Sequence, residues 1–210
     1  MLKLLCVRLS LLLLLPLFCA TASAQDMSIF GMRLGEPLTI LECARDKHGY
    51  RISSDSGCYK RTSIYGYLND KKYDKKNPPP PLGTEHVEIH FPFSERPQIV
   101  SSVGVMALVI DSKLEGIGFN TLGITDDDSV LEKLKEKYGT PTAFIPNKVQ
   151  NRMGASFEAF VASWVFPDLY VTFQSVTNKL DSGLVNIDTK KGKEHREQAL
   201  KELQKDRRPL

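Results

Sequence analysis

His86, Glu88 and His90 are the residues whose types and spacing most suggest chemistry, because they alternate with apolar residues in one short stretch. Strict alternation is typical of a half-buried β-strand, so the three side chains are predicted to share one face. Imidazole and carboxylate groups are ligands that zinc accepts, which makes this strand a candidate metal site. Same-face side chains lie roughly 6–7 Å apart along a strand, so all three must lean toward one ion. A solvent-facing polar face without metal is the alternative interpretation.

Motifs of other catalytic classes are absent from the sequence. No Gly-x-Ser-x-Gly elbow and no Ser-x-x-Lys pair marks a serine nucleophile. No glycine-rich loop has the spacing of a phosphate site. The sequence therefore predicts a non-enzymatic protein that needs no cofactor. A metal-dependent enzyme that uses the His-x-Glu-x-His strand is kept as an alternative.

Residues 1–24 have the pattern of a secretory signal peptide. Two basic residues precede an apolar core from Leu9 to Phe18, and Ala22-Ser23-Ala24 is a small-residue cleavage site. The apolar core is shorter than the roughly 20 residues of a membrane-spanning helix. The mature chain is therefore expected to begin at Gln25, as a periplasmic or secreted protein without a transmembrane segment.

Cys19 offers a second interpretation of the same segment, because Leu17-Phe18-Cys19-Ala20 resembles a bacterial lipidation motif. Phe18 is bulkier than the small residue that this motif prefers, so cleavage after Ala24 is the preferred interpretation. An acylated Cys19 would instead predict an envelope-assembly or structural factor tethered to a membrane.

The charge balance argues against nucleic acid as a partner. Loss of the signal peptide removes Lys3 and Arg8, which reduces the 28 basic residues to 26 against 25 acidic ones. The mature chain is therefore close to neutral, and no strong positive field favours a polyanion.

Cys43 and Cys58 are the two cysteines that remain after removal of the signal peptide. In an exported chain, one remaining pair is expected to form a disulfide. A loop of about 15 residues corresponds to a stabilisation of roughly 3 kcal/mol in the chain-entropy model. The pair is predicted to join the first helix to the strand that follows it.

The segment Leu122–Gly139 has the features of a complete helix: an acidic first turn, apolar residues at helical spacing and a terminal glycine. Leu34–Gly49 has a similar pattern, and the two align from Leu41 and Leu131 onward. The acidic run Asp126–Asp128 is interpreted as helix capping, because the alternating ligands of a calcium loop are missing.

This repeat predicts an α+β fold of two tandem helix-plus-antiparallel-sheet units with a charged C-terminal helix. The first unit is placed at residues 27–113 and the second at 114–190. A charged helical tail is predicted at 191–210. The lysine- and proline-rich stretch between Asn69 and Gly83 is predicted to be an extended, solvated loop.

Each unit is read as Phe/Ile-Gly-x-x-Leu-Gly, a short helix ending in Tyr/His-Gly, and antiparallel strands. The residues that carry this pattern are Ile29–Gly35 with Leu41–Gly49, and Ile117–Gly123 with Leu131–Gly139. The pattern resembles the repeat of β-lactamase-inhibitor-like proteins and, more loosely, small outer-membrane assembly lipoproteins of the BamE (SmpA/OmlA) type. The resemblance implies helices on one side of paired sheets whose concave face binds a protein. It also implies a helix-to-strand disulfide, although the second unit has no cysteine pair.

The aromatic-rich strand pair at residues 156–176 contains the candidate anchors for a protein partner. Trp164 and Tyr170 are predicted to be exposed on a sheet face, where aromatic side chains are effective binding anchors. The sequence therefore predicts an exported, non-enzymatic binding protein and leaves the identity of its partner open.

Overall fold

The computed structural model describes residues 26–44, 56–62, 82–101 and 104–205. The predicted signal peptide, Cys19 and nearly all of the lysine- and proline-rich stretch lie outside these residues. The strands of the described residues are β1 (Ser28–Ile29), β2 (Met32–Arg33), β3 (Cys58–Thr62), β4 (Glu85–His90), β5 (Gly104–Ile110), β6 (Lys113–Thr121), β7 (Ala143–Gln150), β8 (Ser156–Val165), β9 (Leu169–Gln174) and β10 (Gly183–Thr189). The helices are α1 (Asp127–Tyr138) and α2 (Lys190–Lys205).

Strands β3 to β10 form one eight-stranded sheet in the order β3-β4-β5-β6-β10-β9-β8-β7. All neighbouring strands are antiparallel. The centre of the sheet is the pairing of β6 with β10, in which Ile117 lies opposite Ile187. Each half of the sheet is a run of strands that are neighbours in sequence, and β1 and β2 form a separate small hairpin.

The predicted fold of two helix-plus-sheet units is wrong, because the strands of both predicted units belong to one continuous antiparallel sheet. The predicted boundary at residues 113 and 114 falls at the start of β6. This strand pairs with β5 on one side and with β10 on the other. Shared backbone hydrogen bonds therefore join segments that the repeat suggested were separate.

The helix predicted at Leu34–Gly49 is not formed over residues 34–44, and residues 45–49 lie outside the described residues. The backbone of this segment bonds to the sheet instead: the Leu114 amide donates to the Glu36 carbonyl at 2.8 Å, and the Cys43 amide donates to the Tyr59 carbonyl at 2.8 Å. Leu41, assigned to the apolar stripe of that helix, is 80% exposed. Pairing with the sheet satisfies the backbone groups that a helix would otherwise satisfy.

The apolar core lies on one face of the sheet. Alternation along each strand places Val87, Ile117, Val171 and Ile187 on this face, and all four are fully buried. The core is completed by the N-terminal segment and by α1, whose buried residues are Val130, Leu131, Leu134 and Tyr138. The alternation predicted for β4 is confirmed, because Val87 and Ile89 are buried and the intervening residues are not.

Helix α1 confirms the prediction for Leu122–Gly139 over residues 127–138, and Gly123–Thr125 before it forms a short 3-10 helix. It carries Asp127 and Asp128 in its first turn and is capped at its C-terminal end by Gly139, which has a φ of 78°. Glycine adopts this backbone conformation without the steric cost of a Cβ atom. The indole N–H of Trp164 donates to the Gly139 carbonyl at 2.7 Å and so ties the end of the helix to β8.

Cys43 and Cys58 form a disulfide, as predicted. The bridge links the edge strand β3 to residues 41–43, which run beside it and exchange backbone hydrogen bonds with Tyr59. It therefore connects two extended segments and not a helix and a strand. Among the described residues, no helix is both long and apolar enough to cross a membrane.

Replacing both bridge cysteines in the variant Cys43→Ser/Cys58→Ser is expected to lower the free energy of unfolding by about 3 kcal/mol, because the unfolded chain regains the entropy of an open loop. Urea denaturation under non-reducing conditions measures this change. A double variant as stable as the parent would show that backbone pairing alone holds residues 41–43 on β3.

Leu134→Ala is expected to lower the free energy of unfolding by about 2–5 kcal/mol, because Leu134 is 2% exposed and its truncation leaves a cavity between α1 and the sheet. Thermal or urea denaturation measures the loss. Glu136→Ala, an exposed position on the same helix, is the control and is expected to change stability by less than about 0.5 kcal/mol. Equal effects at the two positions would contradict the packing of α1 described above.

Candidate functional site

The predicted metal-binding strand is formed, but its three side chains do not converge. His86, Glu88 and His90 lie on the same face of β4, as their alternation predicted. Only Glu88 and His90 approach each other, with 3.5 Å between Oε2 and Nε2. His86 lies instead beside His195 of α2, with 6.4 Å between the ring centroids.

The metal site predicted from these residues is therefore not assembled. In the part of the chain that the structure describes, no group of three or more His, Cys, Asp or Glu side chains is placed to hold a metal ion. Same-face residues of a strand lie about 6–7 Å apart, and the ring of His86 lies beside that of His195 instead of beside Glu88 and His90.

A row of residues crosses the sheet on the face opposite the core and lies under α2. Strand register places His86 beside Leu108, Leu108 beside Gly116, and Gly116 beside Asp188. Helix α2 lies across this row, with His195 near His86 and Arg196 bound to Asp188. We call this contact between α2 and the sheet the polar seam.

The central interaction of the polar seam is an ion pair between Arg196 and Asp188, with 2.8 Å between Nε and Oδ1. Burial raises the pKa of the Asp188 carboxyl, and Arg196 opposes this rise. Burial also lowers the pKa of His86, with further lowering by the nearby Arg196 and His195. A charge pair and two histidines therefore meet where a helix commonly buries apolar side chains.

Two glycines provide the space for this ion pair and for the close approach of α2 to β6. A Cβ atom on Gly116 would lie 2.1 Å from Asp188 Oδ1 and 3.2 Å from Arg196 Nη2. A Cβ atom on Gly192, in the first turn of α2, would lie 2.0 Å from the Glu115 carbonyl oxygen. The helix consequently approaches the backbone of β6 closely. The Gly192 amide donates to the Thr189 hydroxyl at 3.1 Å, and this hydroxyl in turn donates to the buried carboxylate of Glu115.

On β7, β8, β9 and β10 this sheet face continues beyond α2, and we call this part the open face. Its side chains form cross-strand rows on β7, β8, β9 and β10, as the register of these strands shows. They are Ala143, Ile145, Val161, Ser163, Val165, Tyr170, Thr172, Gln174, Leu184 and Asn186. Each is exposed or half-buried, and Ile145 and Val165 are 60% and 54% exposed.

No side chain of the open face is charged, although charged residues make up 25% of the chain. Its members are aliphatic, hydroxyl or amide groups, with Tyr170 at the border of α2. The Nζ atom of Lys193 lies 5.0 Å from the centre of the Tyr170 ring. Depletion of charged residues is characteristic of the central part of protein–protein interfaces.

The two predicted aromatic anchors have different positions. Tyr170 is half-buried and lies on the open face. Trp164 is 1% exposed and packs in the core, with 6.4 Å between its ring and that of Tyr138, so the expectation that it is exposed is corrected. The two residues lie on opposite faces because Trp164 pairs with Val171, one register position away from Tyr170.

The edge strand β7 is protected against addition of another strand. Pro146 has no backbone N–H, and the Lys148 amide donates to the Asn147 side chain at 2.8 Å. Alternate residues of a strand direct their backbone groups to the same side, so both positions face away from β8. Proline and lysine are typical residues of protected sheet edges. The free edge of β7 is therefore not suited to pairing with a strand of another chain.

Comparison of the chain with protein-family models, curated proteins and solved structures found no match. The resemblance to β-lactamase-inhibitor-like and BamE-type proteins therefore stays a prediction.

Sequence reasoning did not identify the polar seam or the open face. The seam joins residues from β4, β6, β10 and α2, which are far apart in sequence. One available signal was Gly116-Ile117-Gly118, because alternate glycines in a strand often mark the close approach of another element. The open face had a weaker signal, namely the absence of charge from Val161 to Val165 and from Leu169 to Gln174.

Gly116→Ala is expected to lower the free energy of unfolding by about 1–3 kcal/mol, because the added methyl group displaces Asp188 from Arg196. Denaturation curves measure the loss. Gly83→Ala is the matched control, since a Cβ atom there meets nothing within 4 Å. If both substitutions left stability unchanged, the close approach of α2 to β6 would be contradicted.

Proposed function

We propose that the protein is an exported, non-enzymatic binding protein whose open face receives a protein partner. The observation that carries this proposal is a contiguous, uncharged surface of side chains on four neighbouring strands. An exposed sheet face of a monomeric protein is commonly covered with charged and polar residues, which favour water over a partner. Here the same positions hold uncharged groups, whose desolvation costs less than that of charged side chains when their hydrogen bonds are replaced by the partner.

The composition of the open face indicates the chemistry of its partner. Ile145, Val161 and Val165 supply apolar area, and Tyr170 supplies an amphipathic ring at the border of α2. The hydroxyl and amide groups between them, such as Thr172 and Gln174, donate and accept hydrogen bonds without net charge. The complementary surface is therefore apolar with amide or hydroxyl groups, and it is uncharged at its centre.

Export of the protein is supported by the disulfide and by the predicted signal peptide. A stable disulfide is typical of oxidising compartments outside the cytosol. The partner is therefore expected in the periplasm or outside the cell.

Site-specific photo-crosslinking tests the proposal. A photo-reactive amino acid at Thr172, in the middle of the open face, is expected to form a discrete protein adduct in extracellular or periplasmic extracts of the producing cell. The same probe at Lys148, whose side chain lies on the other side of the β7–β8 hairpin, is expected to form none. Adducts are identified by mass spectrometry.

A charge placed in the open face distinguishes specific capture from chance contact. Ile145→Asp is expected to reduce the adduct formed at Thr172 at least about tenfold, because binding then requires desolvation of a carboxylate. Lys133→Gln on α1 changes the net charge by the same amount and is expected to leave the adduct unchanged. Equal adducts at Thr172 and Lys148 would contradict the proposal. An adduct with twice the mass of the chain would show that the partner is a second copy of the same protein.

A further inference from the structure

We propose that α2 is a displaceable lid, which detaches from the sheet as a unit and uncovers a continuation of the open face. The proposal concerns a motion of the chain itself. It can therefore be tested without a partner, and its failure would leave the proposed function intact.

The first observation is that α2 is held by polar contacts. No described side chain of α2 belongs to the apolar core. The helix is attached through the Arg196–Asp188 ion pair, the contact of Lys193 with Tyr170, and an exposed ion pair of Lys191 with Asp111 at 2.5 Å. Detachment therefore exchanges most of these contacts for contacts with water and exposes little apolar surface of the helix.

The second observation concerns the sheet residues under the lid. Leu108 is fully buried, yet it lies outside the main apolar cluster, because its side chain points to the α2 side of β5. It is the large aliphatic side chain of the row that also contains His86, Gly116 and Asp188. The lid therefore shields Leu108 from water, and the other residues of this row are a glycine and two polar residues.

The third observation is incomplete hydrogen bonding on the inner side of the lid. His195 Nδ1 and Arg196 Nη2 are buried without a hydrogen-bond partner among the described residues. A buried polar atom without a partner opposes the closed position, because water satisfies the same atom in the open position. Both atoms belong to consecutive residues of α2, so one movement of the helix relieves both.

The geometry of attachment permits this movement. Helix α2 begins at Lys190, directly after the last residue of β10, so a change in a few backbone dihedrals at Thr189 and Lys190 is enough to swing it. The row under α2 continues the open face, since Asp188 lies beside Tyr170. Opening would thus extend the candidate binding surface from β9 and β10 toward β6, β5 and β4.

Thiol labelling tests the lid directly. The variant Leu108→Cys places a thiol under α2, and Val109→Cys places one on the opposite, core-facing side of the same strand. Both parent residues are fully buried. The thiol at 108 is expected to react with a maleimide at least about tenfold faster than the thiol at 109, because lid opening requires less free energy than global unfolding. Peptide mass spectrometry assigns the label to its site.

Two substitutions on α2 test how the lid is held. Arg196→Gln, added to Leu108→Cys, is expected to accelerate labelling further at least about tenfold, because the closed position then buries the Asp188 carboxylate without its charged partner. Lys201→Gln removes the same charge from an exposed position of the helix and is expected to have no effect. Equal labelling at 108 and 109, or equal effects of the two substitutions, would overturn the proposal.

Hydrogen exchange of the unmodified protein gives an independent result that does not depend on the cysteine variants. A detached helix of 16 residues is marginally stable in water and loses its amide protection. The amides of α2 are therefore expected to exchange at least about tenfold faster than those of β5, β6 and β10. Exchange of α2 at the same rate as these strands would show that the helix opens only on global unfolding, and the lid would be excluded.

Discussion

The pairing of β6 with β10 is the interaction on which the rest of the structure depends. These strands lie at the centre of the sheet and join its two halves, from Gly183 opposite Thr121 to Asp188 opposite Gly116. Because side chains alternate along a strand, the same pairing sets both faces at once. It brings Ile117 and Ile187 together in the core and places Gly116 beside Asp188 on the other side. A shift of one residue would exchange the two faces, so the hydrophobic pattern specifies the register strongly.

The two faces of the sheet are covered by different kinds of interaction. On one face, α1 and the N-terminal segment bury apolar side chains, including Leu134 against the strands. On the other face, α2 is attached through Arg196 and Asp188 above glycines. Burial of apolar area is worth about 25 cal/mol per Å², whereas partly exposed ion pairs contribute little net free energy. The first face therefore contributes most of the free energy of folding. On the second face, exposed surface and movement of α2 cost little stability.

Local patterns predicted local features well. The alternation around Val87 and Ile89 identified β4, the spacing and the terminal glycine of residues 126–139 identified α1, and the cysteine count identified the disulfide. The prediction failed for Leu34–Gly49, where backbone pairing with β6 and β3 prevails over a weak helical pattern. The strand β7 was missed because Pro146 interrupts its pattern, although proline is compatible with an edge strand.

Assigning a function required knowledge of which residues become neighbours. The sequence suggested a cation site at His86, Glu88 and His90 because adjacency along the chain is all that a motif can show. In the folded protein, His86 belongs with His195, more than one hundred residues later in the chain. The open face likewise combines short uncharged stretches from β7, β8, β9 and β10, none of which is distinctive alone.

The sequence by itself determined the alternation of buried and exposed residues, the position of α1 and the pairing of Cys43 with Cys58. These features depend on interactions between residues close in sequence or, for the disulfide, on the predicted loss of the other two cysteines with the signal peptide. The tertiary structure alone decided that the strands form one sheet, that Trp164 faces the core and Tyr170 the open face, and that α2 lies on a polar seam. These features depend on strand register and on packing between distant segments, for which a single sequence contains only weak signals.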